Sequence, residues 1–216
     1  MDELGLIQKI IVWSLPVIFA ITVHEVAHGW VAKKLGDSTA DKLGRLTLNP
    51  LKHIDLMGTL IVPGLMLTFT GFVFGWAKPV PVNMMNLGKP RRDMAIVALA
   101  GPVSNFLMAL GWALFIRIAI AIDIAEVSVY MLYVGIAGIM INLVLALLNL
   151  LPIPPLDGSR IMAWLLPDAL ARYYVLLEKY GFYILVIMMM TESLGTILGV
   201  PLGLVKGVFL SIAGLQ

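Results

Sequence analysis

Residues 6–35 read LIQKIIVWSLPVIFAITVHEVAHGWVAKKL, an apolar run that is long enough to cross a bilayer. The hydrocarbon core of a membrane needs about 20 residues of helix. In its second half the run is interrupted by His24, Glu25 and His28. Ionisable side chains within an apolar span are costly to bury and by default indicate a functional site. The segment therefore predicts a membrane helix that carries a functional polar cluster.

The composition extends this prediction to the whole chain. Its 216 residues are 60% hydrophobic and 13% charged, and the mean hydropathy is +0.97. Soluble domains carry about 25% charged residues, so an ordinary soluble domain, a disordered chain and a collagen-like fibre are excluded. The absence of cysteine excludes disulfides, thiolate zinc sites and iron–sulfur clusters. The net charge of +2 gives no indication of nucleic-acid binding.

Six apolar stretches are separated by short polar segments. They cover about residues 6–35, 56–76, 94–122, 127–151, 180–190 and 194–215. This pattern predicts an all-α polytopic membrane protein with about five to six transmembrane helices, folded as a single domain over residues 1–216.

The charges of the loops predict how the second stretch is arranged. Residues 31–52 hold five basic residues and residues 76–92 hold four, and short basic loops stay cytoplasmic. Both flanks of residues 56–76 would then be cytoplasmic, so this stretch would not be a single crossing. We expect a re-entrant or strand-containing segment between the first and third helices, turning at Pro63-Gly64 and lining a water-filled cavity. The alternative is a proline-kinked full span in a chain that departs from the charge rule.

The polar cluster of the first stretch has the pattern H-E-x-x-H. Residues four apart lie on one face of a helix, so the imidazoles of His24 and His28 can bind the same metal ion. The intervening Glu25 would lie beside that metal and could take a proton from a water molecule. The pattern predicts a catalytic zinc site, whereas a chance match or a purely structural cluster is the competing interpretation.

A catalytic zinc ion needs a third protein ligand. The remaining carboxylate in apolar surroundings is Asp157, which follows the fourth helix after a proline-rich bend. Gly158 would permit a tight turn directly after this carboxylate. The loop charges place the end of the first helix and the end of the fourth helix on the same side of the membrane, so Asp157 and the two histidines would meet. We expect His53, in a basic loop, to be a surface residue, and the alternative is that it approaches the zinc as an inhibitory or substrate-gating ligand.

Two further motifs accompany H-E-x-x-H in a fixed order. They are Gly101-Pro102-x-x-Asn105 and Asn149-x-x-Pro152-x-x-x-Leu156-Asp157-Gly158. Together the three motifs, which span about residues 15–165, resemble those of the site-2 protease family of intramembrane zinc metalloproteases. The chain is similar to the compact prokaryotic branch, without a PDZ or CBS module.

The resemblance implies a role for each motif residue. His24, His28 and Asp157 would bind one Zn²⁺ per chain, Glu25 would be the catalytic base, and Asn149 would contact the substrate carbonyl or the oxyanion. Asn105 would have a structural or substrate-facing role. The catalytic core would cover about residues 6–165, followed by C-terminal helices over about 167–216.

The implied function is hydrolysis of peptide bonds in or near transmembrane segments. The expected partners are single-span membrane protein substrates and the lipid bilayer, with no nucleic acid. The expected location is the prokaryotic cell membrane, with the active site towards the cytoplasmic leaflet. Residues 75–82 either offer an extended edge to an unwound substrate or form a solvated loop. An ion or proton transporter that uses the same His/Glu/Asp cluster is the alternative function.

Overall fold

A computed structural model describes residues 5–62, 75–122 and 125–215. These ranges contain eight α-helices and no β-strand. The long helices are α1 (Leu6–Lys34), α3 (Pro90–Ile122), α4 (Ala125–Asn149) and α8 (Ser193–Ala213). The shorter helices are α2 (Thr39–Lys42), α5 (Asp157–Leu165), α6 (Asp168–Leu176) and α7 (Gly181–Met190).

Among the described residues, five helical segments are long and apolar enough to cross a membrane. They are Ile7–Lys34, Pro90–Ala121, Val129–Asn149, Asp168–Met190 and Ser193–Ala213. These segments correspond to the predicted apolar stretches other than residues 56–76, which confirms an all-helical chain with several candidate membrane helices. The fifth stretch is longer than predicted, because α6, a 3₁₀ turn over Leu177–Tyr180 and α7 follow one another without a break.

The connection between α1 and α3 begins and ends at the same end of the bundle. The two helices are antiparallel, since His24 contacts Asn105 while His28 contacts Val97. Within the connection, the backbone N–H of Trp76 donates to the carbonyl of Gly58 at 2.9 Å. The two flanks of the second apolar stretch are therefore adjacent, as the re-entrant alternative requires. The predicted turn at Pro63-Gly64, and any strand in residues 63–74, lie outside the described residues.

The apolar core lies where α3, α4 and α8 pack against one another. Ala109, Ala113 and Ile116 of α3 are fully buried against Ile139 and Leu143 of α4, and α8 completes the cluster. Alanine side chains let helix axes approach closely, so dispersion contacts are made over a large part of the interface. This packing holds α3 and α4 together beyond the polar cluster and thereby sets the spacing of the site.

The loop after α1 is anchored by a buried carboxylate, that of Asp37. It is fully buried and accepts hydrogen bonds from Thr39, from the side chain of Asn86 at 2.8 Å and from the backbone N–H of Asn83 at 2.7 Å. Burial opposes ionisation, but these hydrogen bonds from Thr39, Asn86 and Asn83 outweigh it and lower the pKa of Asp37 below its usual 3.8. Asp37 thus ties the end of α1 to the segment that precedes α3.

Replacing Asp37 by Asn is expected to destabilise the protein by about 2 kcal/mol at neutral pH, because an amide group would face several hydrogen-bond donors. A carboxyl whose pKa is lowered on folding stabilises the protein above 3.8, and this stability is lost as the pH falls through the folded value. Denaturant unfolding of the detergent-solubilised protein across this range would measure both effects. The control is Asp41→Asn, at an exposed ion pair with Lys33. Equal effects of the two substitutions would contradict the assignment.

Candidate active site

Three side chains from two helices converge on one point. The Nε2 atoms of His24 and His28, one turn apart on α1, lie 3.0 Å from each other. The Oδ2 atom of Asp157, the first residue of α5, lies 3.2 Å from Nε2 of His24 and 3.3 Å from Nε2 of His28. The two histidines are buried, at 8% and 9% exposure. The predicted meeting of Asp157 with the histidine pair is thus present in the structure.

The second nitrogen of each imidazole is held by an oxygen. Nδ1 of His24 lies 2.6 Å from Oδ1 of Asn105, and Nδ1 of His28 lies 2.7 Å from the carbonyl oxygen of Val97. The carbonyl can only accept, so Nδ1 of His28 carries the proton. We assign the proton of His24 to Nδ1 as well, because a relay of amides orients Asn105 as an acceptor.

The relay runs from α3 into α4. Nδ2 of Asn105 donates to Oδ1 of Asn142 at 2.9 Å, and Nδ2 of Asn142 donates to the carbonyl oxygen of Gly138 at 2.8 Å. Because a carbonyl can only accept, the orientation of both amides is determined, and Oδ1 of Asn105 faces His24. Both asparagines are fully buried. An oxygen that accepts a hydrogen bond from the second ring nitrogen fixes the orientation and the tautomer of an imidazole that binds a metal.

The geometry of the cluster fits a metal ion. With Nδ1 protonated, Nε2 of His24 and Nε2 of His28 present lone pairs towards each other and towards Asp157. The Oδ2 atom of Asp157 is buried and has no hydrogen-bond partner. Three acceptors so close together repel one another unless they share a cation. A tetrahedral ion with bonds of about 2.0–2.1 Å has ligand–ligand edges of about 3.3 Å, and the observed separations are 3.0, 3.2 and 3.3 Å.

Gly101 allows α3 to approach the histidine pair. A Cβ atom at this position would lie 2.5 Å from Cε1 of His24 and 2.5 Å from Nε2 of His28. Real Cβ contacts are essentially never this short. The glycine of the Gly101-Pro102 motif therefore has a steric role that is specific to the face of α1 that carries His24 and His28.

We expect Gly101→Ala to displace the imidazoles, so that the metal content per chain falls at least tenfold and the activity falls with it. Even loss of a group that hydrogen-bonds to a metal-binding imidazole costs about 10–100-fold in metal affinity. Metal content per chain, measured after purification in detergent, tests this. Gly111→Ala on the same helix is the matched control, since its Cβ would meet nothing within 4 Å. The control should keep its metal and gain up to about 1 kcal/mol in stability. Full metal content in Gly101→Ala would contradict the steric argument.

Glu25 is half-buried beside the cluster, and its carboxylate contacts a distant segment. Its Oε2 atom accepts a hydrogen bond of 2.7 Å from the backbone N–H of Val80. Residues 75–82 form neither a helix nor a strand. Lys78 donates from its backbone to the carbonyl of His53 at 2.9 Å, and Arg45 donates to the carbonyl of Lys78 at 2.8 Å. The backbone N–H groups of Lys78 and Val80 are thus bonded within the protein, and a substrate edge at this segment stays a prediction.

Three sequence predictions need separate comment. Asn149 is the last residue of α4, and its Nδ2 atom donates to the carbonyl of Leu145 within the same helix, so its contact with a substrate stays a prediction. The expected surface position of His53 is wrong. Its side chain is 3% exposed and its Nε2 atom bonds the carbonyl oxygen of Thr47 at 2.9 Å.

The expected tight turn at Gly158 is also wrong, because Asp157 and Gly158 open a helix. The glycine is needed instead for a close approach, since a Cβ there would lie 2.3 Å from the carbonyl oxygen of Leu150. This contact packs the first turn of α5 against the bend that follows α4, and so positions Asp157.

Sequence reasoning missed two parts of the site. The carbonyl of Val97 carries no side-chain signal, so its bond to His28 could not be found. The contact of Val80 with Glu25 has the same cause, because it uses the backbone. Asn142 contacts Asn105 of the neighbouring helix, as polar residues in membrane helices commonly do. Its link to His24 through Asn105 depends on packing.

Comparisons with known proteins agree with this geometry. A Bacillus subtilis (strain 168) protein named "Putative zinc metalloprotease YwhC" is 42% identical over 185 residues, covering 82% of this chain and 79% of the relative. A family model described as "Peptidase family M50" matches residues 113–191. The chain belongs to peptidase family M50. The matched part of this M50 chain includes Asn149 and Asp157, whereas the histidine pair precedes it.

Two other relatives of this M50 protein are more distant. "Putative zinc metalloprotease Rip2" of Mycolicibacterium smegmatis is 33% identical over 179 residues, covering 82% of this chain and 66% of the relative. "Putative zinc metalloprotease MJ0611" of Methanocaldococcus jannaschii is 29% identical over 143 residues, covering 65% of this chain and 63% of the relative. No solved structure gives a significant match. The resemblance to the site-2 protease family is confirmed, and the chain is a metalloprotease of that family.

Proposed function

We propose that this M50 protein binds one Zn²⁺ through His24, His28 and Asp157 and hydrolyses peptide bonds in or near the transmembrane segments of membrane-anchored proteins. The observation that carries the proposal is the convergence of three hydrogen-bond acceptors, one of them a buried carboxylate oxygen without a partner. Three protein ligands leave a fourth position of a tetrahedral ion for water or substrate, as in catalytic zinc sites.

The residues of the chain would divide the work of hydrolysis. A zinc ion bound there supplies a nucleophile from water at neutral pH and polarises the scissile carbonyl. The carboxylate of Glu25 accepts the proton of the attacking water and returns it to the leaving amine. The Asn105–Asn142 relay keeps the proton of His24 on Nδ1, so that Nε2 remains a ligand. Asn149 would add a hydrogen bond to the oxyanion, as the family resemblance implies.

The position of the cluster supports access to water. His28 lies six residues before the end of α1, or about 9 Å at helical rise, and basic loops follow α1 and precede α3. Short basic loops favour the cytoplasmic side, so we place the site in the cytoplasmic leaflet of a prokaryotic cell membrane. The backbone of a helical substrate is internally bonded and must unwind before attack. Single-span substrates with helix-weakening residues near this leaflet would therefore be cleaved most readily.

Zinc analysis of the purified protein, combined with cleavage of a model single-span substrate, tests the proposal. One zinc ion per chain and cleavage that a chelator abolishes and zinc restores are the expected results. A transporter would instead move zinc or protons across vesicles that contain the protein. Ion flux without cleavage would overturn the assignment in favour of transport.

A further inference from the structure

The guanidinium group of Arg45 is buried without an acidic partner. Arg45 is 9% exposed, and its guanidinium group forms no ion pair with any residue in the described ranges. Nη2 donates to the carbonyl oxygens of Lys78 and Pro79, but Nε has no hydrogen-bond partner. Burying a charge is costly unless an opposite charge and full hydrogen bonding compensate for it. An anion bound beside this group would compensate for its charge.

A cavity of about 470 Å³ lies beside this group. It is lined by Leu43, Arg45, Lys78, Pro79 and Pro81. Lys78 is exposed and likewise forms no ion pair with a described residue. The lining thus carries two cations and no carboxylate. Such a cavity is suited to a carboxylate, which can accept charge-assisted hydrogen bonds from both cations.

The cavity is next to the residue that contacts the catalytic base. Val80, whose N–H donates to Glu25, stands between Pro79 and Pro81, and both prolines line the cavity. The same short segment, residues 79–81, thus borders the cavity and contacts Glu25.

We propose that Arg45 and Lys78 form a subsite that binds an acidic side chain of the substrate, close to the scissile bond. This inference rests on the proposed proteolytic function and adds a determinant of substrate choice to it. Arg45 also holds the backbone of residues 78–79 through its bonds to the two carbonyl oxygens. Lys78 is therefore the residue whose side chain can be changed without disturbing that backbone.

The test uses a model single-span substrate whose cleavage position has been identified by mass spectrometry. Each residue on either side of that position is replaced in turn by Asp, Asn or Lys, and kcat/KM is measured for each substrate in zwitterionic detergent. We expect one position at which Asp is cleaved at least about fivefold better than Lys. In Lys78→Glu the preference should reverse at that same position, because the charge of the subsite changes. A series without such a position, or a preference that Lys78→Glu leaves unchanged, would overturn the subsite.

Two controls separate this outcome from others. Lys52→Glu makes the same charge change at an exposed basic residue outside the cavity and should retain the Asp preference. Binding of the Asp and Lys substrates to Glu25→Gln, followed by fluorescence anisotropy, should show the same preference without turnover. If phosphatidylglycerol added to the micelles removes the preference for Asp, the cavity is a lipid headgroup site and the proposal is wrong. If the subsite is overturned by any of these results, cleavage of the Asn substrate by the wild-type protein would still support the proteolytic function.

Discussion

Replacing Glu25 by Gln is expected to lower cleavage by a factor of about 10²–10⁴ while the metal content stays at the wild-type level. Glutamine has nearly the same shape as glutamate, but its amide does not take up a proton at neutral pH. Its side-chain oxygen can still accept the hydrogen bond from Val80, so residues 75–82 should keep their position. The loss would therefore report the proton transfer alone.

Cleavage rates and zinc content measured on the same preparations would check this. Glu192→Gln, in the connection between α7 and α8, makes the same chemical change away from the cluster and should cleave at the wild-type rate. Wild-type proteolysis in Glu25→Gln would exclude Glu25 as the base. Loss of zinc in that variant would mean that Glu25 supports metal binding.

Replacing Asp157 by Asn is expected to remove most of the bound metal, and cleavage with it. The substitution replaces the one charged ligand by a neutral amide, so the cation loses its only direct electrostatic compensation. The metal affinity should fall by more than the roughly 10–100-fold that is lost when a group hydrogen-bonded to a metal ligand is removed. In contrast to Glu25→Gln, metal content and activity should fall together.

Competition with a chelator of known affinity would measure the change in metal binding. Asp168→Asn is a matched control, because Asp168 is the first residue of α6 as Asp157 is of α5, and its side chain is 88% exposed. That variant should keep its zinc. Unchanged metal affinity in Asp157→Asn would remove Asp157 from the ligand set, and the third ligand would have to be sought elsewhere.

Both predictions depend on residues that the sequence indicated. The H-E-x-x-H spacing is a local signal, because residues four apart lie on one helical face whatever else the chain does. The apolar stretches are equally local, since the length of a bilayer-spanning helix is set by the membrane. Asp157 required a longer argument through loop charges, and the structure places Asp157 beside the histidine pair as that argument required.

His53 shows where such reasoning ends. A histidine in a basic loop is usually part-exposed, and nothing within a few residues of it predicted burial. It is buried because residues 75–82 return across the loop and Lys78 bonds its carbonyl. Segments that close over one another are decided by the whole chain.

The sequence by itself determined which groups could carry the chemistry, namely two imidazoles, a neighbouring glutamate and a distant aspartate within an apolar chain. Only the tertiary structure decided how these groups are held. His24 and Asn105 are 81 residues apart in the chain, yet their contact sets the tautomer of the His24 imidazole. The contact of Glu25 with Val80 joins residues 55 apart through a backbone group. Helical periodicity reaches only a few residues, whereas these contacts arise because packing of α1, α3 and α4 excludes water and each polar group must then find a partner within the protein.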